Sequence, residues 1–172
     1  EPLRIVHGVP GDPFRGLFVD TPDDAAVEHF SNVTEPLVIC GHTHRPTQRT
    51  LQTQTQRWRV LNGGSVGIPY NGDPRAQYLL LSSDGDAWTP IYRRVEYPVH
   101  AVRQAFEEMG IEREFGALAE IYLRTVETAL PWASDFGHWL KSQPAELHSD
   151  LDRAVDVYER SHGPGQWSFL EV

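Results

Sequence analysis

The stretch that most constrains this chain is LVICGHTHRP at residues 37–46. Four apolar residues run directly into Gly41, and two histidines then bracket Thr43. A short apolar run bounded by punctuation reads as a buried strand. Gly41 lets the backbone turn, and Pro46 stops regular structure from continuing. In extended backbone, side chains at i and i+2 share a face. On that reading His42 and His44 point the same way off the strand end, a natural grip for a metal. The pair alone leaves three readings open: chelation of one ion, bridging of two, or two hydrogen-bonded loop histidines.

The rest of the chain narrows the choice. Residues 3–6 form a short apolar strand that ends at His7-Gly8, followed by a Pro- and Gly-rich loop over 9–19. Thr21-Pro22-Asp23-Asp24 reads as a helix start: Thr21 to cap, Pro22 in the first turn, two aspartates against the helix dipole. The helix runs to about Phe30, with Ala26, Val27 and Phe30 as its buried stripe. Strand, helix, strand is the pattern of a parallel crossover. Ligands of such sheets bind beyond the carboxyl ends of the strands. His7, His42 and His44 therefore gather on one rim.

Beyond Pro46 the pattern changes to period two. Residues 47–52 and 56–61 read as antiparallel strands, and 62–67 (NGGSVG) as a glycine-rich loop. Residues 76–82 and 87–95 read as a hairpin around Asp84-Gly85-Asp86. Together these predict an antiparallel sheet region behind the histidine rim. From Pro98 the spacing becomes helical. One helix carries Val99, Val102, Phe106 and Met109 and stops at Gly110. A second, about 113–130, buries Phe115, Leu118, Tyr122 and Val126. A third lies near 134–142. A fourth, about 144–161, turns Leu147, Leu151, Ala154, Val155 and Tyr158 inward. The closing GPGQWSFLEV reads as an apolar tail that docks on the domain or on a second subunit.

With 172 residues the chain can build one real core and an appendage. No apolar run approaches the roughly 20 residues of a membrane span. No signal peptide is visible, and a lone Cys40 excludes an internal disulfide, so a cytoplasmic setting is expected. Residues 1–97 carry a net charge of −2 and residues 98–172 a net charge of −7. An acidic surface repels a phosphate backbone, which argues against a general nucleic-acid binder. The chain opens on Glu1 and enters a strand at once, which reads as a fragment or as one piece of a cleaved protein.

His7-Gly8 within HGVP, the GHTHRP at 41–46 and the LNGGSVG at 61–67 stand in the order HG, helix, GHTH, glycine-rich loop. This order resembles the C-terminal half of the calcineurin-like metallophosphoesterases, in their small bacterial branch. The resemblance covers residues 3–97 and leaves the helices after Gly110 unexplained. It implies an α/β (α+β) fold: half of a metallophosphoesterase β-sandwich flanked by helices over 1–97, with a C-terminal helical extension over 98–172.

The resemblance also implies two divalent metal ions, drawn from Mn, Fe, Zn, Ni or Co. His7 and His42 would serve one ion and His44 the other. Metals about 3.5–4 Å apart clamp a phosphoryl group and share a hydroxide. Gly41, Arg15, Arg45, Asn62 and Ser65 stand as groups that shape the loop or touch a phosphate-ester substrate. The family's carboxylate motifs, an Asp-x-His and a Gly-Asp-x-x-Asp, do not occur here. The expected activity is hydrolysis of phosphomonoesters or phosphodiesters, with an upstream segment or a second chain completing the metal site, and with little activity from these residues alone. The alternative is a non-catalytic binding or scaffold module of the same shape. An apolar sheet edge left uncovered would aggregate, swap or pair, which also predicts self-association. His29, His100, His138, His148 and His162 read as surface or interface residues.

Overall fold

The computed structural model describes residues 1–162. The chain falls into two compact units: Glu1–Gly67 with Arg75–Glu96, and Ile68–Pro74 with the described residues from Tyr97 onward. The architecture is mixed α/β, with two sheets and a run of helices. The predicted tail over 163–172 lies outside the described residues.

The first unit is built on a four-stranded sheet in the order β1-β2-β4-β3. Its strands are β1 (Leu3–Ile5), β2 (Leu37–Cys40), β3 (Pro46–Gln52) and β4 (Arg57–Gly63). β1 and β2 are parallel, with Leu3 opposite Leu37 and Ile5 opposite Ile39. The crossover between them carries α1 (Asp23–Val27) and a tighter turn over Glu28–Phe30, as the sequence pattern requires. Ala26 and Phe30 are its buried residues. Thr21 does not cap this helix. Pro22 holds the cap position, and the Thr21 hydroxyl instead accepts the backbone N–H of Phe18 at 3.1 Å.

The strands over 46–63 correct the expected sheet division. β4 pairs in parallel with β2, placing Cys40 opposite Asn62, and β3 pairs antiparallel on the outer side of β4. They extend the histidine-bearing sheet rather than forming a second one. Trp58, Val60, Leu61 and Asn62 are all buried, which is the pattern of a central strand covered on both faces. Trp58 anchors the core: its Nε1–H donates to Val33 O at 2.9 Å, and its ring lies 5.5 Å from that of Phe30.

The second sheet is the hairpin β5 (Ala76–Ser83) and β6 (Trp88–Val95), with Tyr78 opposite Arg93 and Leu80 opposite Ile91. It meets the first sheet within the same unit. The Tyr92 hydroxyl donates to Thr47 O at 2.8 Å, and Arg59 donates to Trp88 O. A Cβ on Gly63 would sit 3.0 Å from Leu79 Cβ, so the two sheets approach closely there.

The second unit is helical: α2 (His100–Met109), α3 (Ile111–Phe115), α4 (Ala117–Thr128), α5 (Trp132–Lys141), α6 (Ala145–His148) and α7 (Leu151–Ser161). Gly110 ends α2 in a left-handed conformation, as predicted. The expected second helix is two. Gly116 breaks it at φ 57°, ψ −140°, and a Cβ there would lie 2.2 Å from Asp152 Oδ1. That carboxylate accepts the Ala117 N–H at 2.7 Å, filling the start of α4. The expected fourth helix is also two, because the Asp150 side chain caps α7 through the Arg153 N–H.

The core list also differs from the expected one. Leu147, Ala154, Val155, Tyr158 and Val126 are buried as expected. Met109, Phe115, Tyr122 and Leu151 are exposed instead. Ile121, Trp132 and Phe136 take their places in the core with Tyr158. The Phe136 and Tyr158 rings meet edge-on at 5.3 Å, and the Tyr158 hydroxyl donates to Asp135 at 2.7 Å.

Candidate metal centre

The site begins where two parallel strands end. Val6 N–H donates to Ile39 O at 2.9 Å and Gly41 N–H donates to His7 O at 2.8 Å. These bonds carry the β1–β2 ladder past its last paired residues and fix His7 beside the GHTH turn. Gly41 has little room, since a Cβ there would stand 3.3 Å from His7 O. The result is that His42 Nδ1 and His7 Nε2 lie 3.3 Å apart, with the two rings edge-to-face at 5.3 Å. His7 is exposed and His42 half-buried.

The backbone route to this pairing differs from the one the sequence suggested. His42 and His44 are not extended. Both are left-handed, at φ 65° and φ 57°. A side chain other than glycine is strained there by roughly 1–2 kcal/mol. The turn is held from inside by Thr43, which is buried. Thr43 N–H donates to Gly41 O at 2.7 Å. Asn62, at the carboxyl end of β4, reaches across with its Nδ2–H₂ to Gly41 O at 2.8 Å and to Thr43 Oγ1 at 3.0 Å. Its Oδ1 accepts the Gly64 N–H at 2.9 Å. Asn62 therefore bonds the histidine turn and the glycine-rich loop together. Ser65 adds a backbone link, its carbonyl accepting Gln77 N–H at 2.9 Å.

A second loop lies beside the pair. Val9 N–H donates to Asp12 O and Arg15 O, at 3.1 and 2.9 Å, and Asp12 N–H donates back to Val9 O at 3.0 Å. Gly8 sits beneath this knot, where a Cβ would stand 2.5 Å from two carbonyl oxygens. Gly16 lies against the histidine turn, where a Cβ would meet Thr43 Cγ2 at 2.7 Å and His42 Cδ2 at 3.1 Å. His7, Gly8, Asp12 and Pro13 help to line a shallow depression of about 330 Å³.

Burial first, and then the neighbouring His7 and His44, hold the His42 imidazole below its ordinary range, with Asp12 pulling weakly the other way. A lowered value keeps the ring neutral, the form that ligates metals. Burial pushes the Cys40 thiol up to about 11, so it is no nucleophile at neutral pH. Burial likewise lowers Arg45, with Asp20 opposing, and Arg45 stays half-buried beside the turn. Arg15 is exposed and pairs with Asp12 at 3.8 Å and with His29 Nε2 at 3.5 Å. Phe14, which the sequence did not single out, is 87% exposed on the same loop.

The donors fit part of a metal site. His7 and His42 converge closely enough to turn from each other onto a shared cation. His44 is near enough to act on His42, but among the described residues no group of three His, Cys, Asp or Glu can hold a metal ion. The residues therefore fit one imidazole pair and not two charged ions, which need carboxylates from elsewhere. Of the other histidines, His138 and His148 bond backbone carbonyls of their own helical neighbourhood, and His29 lies 3.5 Å from Arg15.

The fold is that of a solved metallophosphoesterase over the matched region. A metallophosphoesterase from Sphaerobacter thermophilus superposes with a TM-score of 0.57 at 23% identity, over 73% of this chain and 54% of that one. A hypothetical protein from Pyrococcus horikoshii OT3 superposes with a TM-score of 0.51 at 21% identity, over 64% of this chain and 42% of that one. The chain thus spans about half the length of the structures it matches. No protein-family model and no curated protein sequence matches it.

Proposed function

We propose that this chain supplies the imidazole side of a metal-dependent phosphoesterase site that hydrolyses phosphomonoesters or phosphodiesters. His7, His42 and His44 are the metal ligands it brings. Carboxylates come from an N-terminal segment or a second chain. The observation that carries the reading is the 3.3 Å approach of His7 and His42 at the carboxyl ends of adjacent parallel strands, on a fold shared with a metallophosphoesterase.

Divalent ions bound there would supply charge to polarise a phosphoryl oxygen and to acidify a water. The chain's own residues do the rest. Asn62 and buried Thr43 hold the turn in its left-handed form, so ligand orientation is set before any ion arrives. Arg15, exposed on the loop over 8–16 where it pairs with Asp12 and His29, would meet a phosphate oxygen.

The test is turnover of an aryl phosphate with Mn²⁺ by protein that contains this chain and its carboxylate-bearing complement. His42→Ala is expected to lower kcat at least a hundredfold with the fold retained. Unchanged turnover removes the reading. The absence of a third donor among the described residues favours, as the second reading, a non-catalytic module. That reading predicts no turnover from any complemented form.

A further inference from the structure

The loop over 8–16 carries more architecture than a cover needs. Its two ends are anchored by Val9 and Leu17, both buried. Its middle is knotted by the Val9, Asp12 and Arg15 backbone bonds, and the Asp12 carboxylate accepts Phe14 N–H at 2.9 Å. Gly8 and Gly16 leave no room for a side chain: an added Cβ would stand 2.5 Å from Asp12 O and Arg15 O at Gly8, and 2.7 Å from Thr43 Cγ2 at Gly16. On this frame Phe14 is left 87% exposed, two residues from Gly16, where an added Cβ would lie 3.1 Å from His42 Cδ2. An exposed aromatic offers a face on which a flat ring can stack. Arg15 beside it offers a guanidinium, which matches phosphate oxygens in geometry and charge.

We infer that Phe14 and Arg15 form a substrate-selecting pair, Arg15 for the phosphate and Phe14 for a planar ring on the ester's alcohol side. The substrate class is a phosphate ester of an aromatic or heteroaromatic group. This rests on the phosphoesterase reading above and adds to it a choice among esters. Phe14 acts only through the group the ester carries.

Titration calorimetry on the full chain with Mn²⁺ separates the two ideas, using phenyl phosphate, ethyl phosphate and inorganic phosphate as probes. Wild type is expected to bind phenyl phosphate about five- to tenfold more tightly than ethyl phosphate, the scale of one aromatic stack. Phe14→Ala is expected to erase that ratio and leave ethyl and inorganic phosphate within twofold. Phe14→Tyr keeps the ratio, and Arg15→Ala weakens all three. A ratio that survives Phe14→Ala, or equal weakening of all three probes by it, overturns the inference while leaving the phosphoesterase reading standing. Wild type that binds none of the probes overturns the inference, and the phosphoesterase reading is then decided by the turnover test on the complemented protein. Sedimentation of the same samples adds a further outcome: if wild type self-associates and Phe14→Ala dissociates it, Phe14 is a protein contact and the inference fails.

Discussion

The two units handle backbone strain in opposite ways. In the helical unit, left-handed residues terminate helices: Gly110 after α2, and Ala129 after α4, whose carbonyl accepts Gly72 N–H at 3.0 Å. There the strained turn satisfies backbone groups that a helix end leaves open. In the sheet unit, His42 and His44 are left-handed where no helix ends. Their strain is held by Asn62 and Thr43, and its product is an imidazole 3.3 Å from His7. Backbone strain without a local structural use marks the place where side-chain direction matters more than stability.

The strongest way to probe this contrast is to remove the frame. Trp58→Ala empties the sheet unit's core and is expected to cost about 3–5 kcal/mol, read by urea unfolding. Metal affinity should fall with it, since β2 and β4 carry the histidine turn. A cost below 1 kcal/mol would show that Trp58 does not organise that unit.

Next come the strained positions themselves. His42→Gly and His44→Gly relieve the left-handed backbone and are expected to leave stability unchanged or raised by up to about 1 kcal/mol. His42→Gly is expected to weaken metal binding at least tenfold. A loss of more than 1 kcal/mol in both would make these histidines structural and dissolve the contrast. Gly16→Ala is a milder form of the same test. Its Cβ presses on Thr43 and His42, so a several-fold loss of metal affinity is expected with little change in the helical unit's far-ultraviolet signal.

In the helical unit, Asp152→Ala removes the acceptor for Ala117 N–H and is expected to cost about 1 kcal/mol, with metal binding untouched. The smallest effects are electrostatic. Arg4 beside Glu35, and Arg103 beside Glu120, hold these carboxyls below the ordinary glutamate range. Each pair therefore stabilises the fold fully above that range, and the contribution is lost as pH falls through the lowered folded-state value. Glu35→Gln and Glu120→Gln should each flatten the acid limb of a stability–pH curve slightly. An unchanged limb in both variants would show that neither pair holds its carboxyl down in solution.

Much of this was readable from residues alone, and the misses have physical causes. The β1–α1–β2 crossover followed from two apolar runs, a helix start and the histidines at both strand ends. The left-handed histidines were not legible, because GHTH allows either an extended or a turned path and the Asn62 bonds that help to hold the turn come from a residue distant in sequence. The membership of β3 and β4 was missed because alternation reports burial and not pairing partners. The VLN run at 60–62, buried on both faces, was the available signal of a central strand. The break at Gly116 depended on Asp152, 36 positions away, arriving to fill the gap a side chain would occupy. Once that break turns α3 out of line with α4, Phe115 faces outward despite its helical spacing.

The most direct test of the central claim is Mn²⁺ titration of the full chain beside His7→Ala and His42→Ala, with circular dichroism as the folding control. Wild type is expected to bind the ion, and each variant to lose at least tenfold in affinity with an unchanged spectrum. Equal affinity in all three proteins would contradict the claim that two strand ends bring these imidazoles together to share a cation.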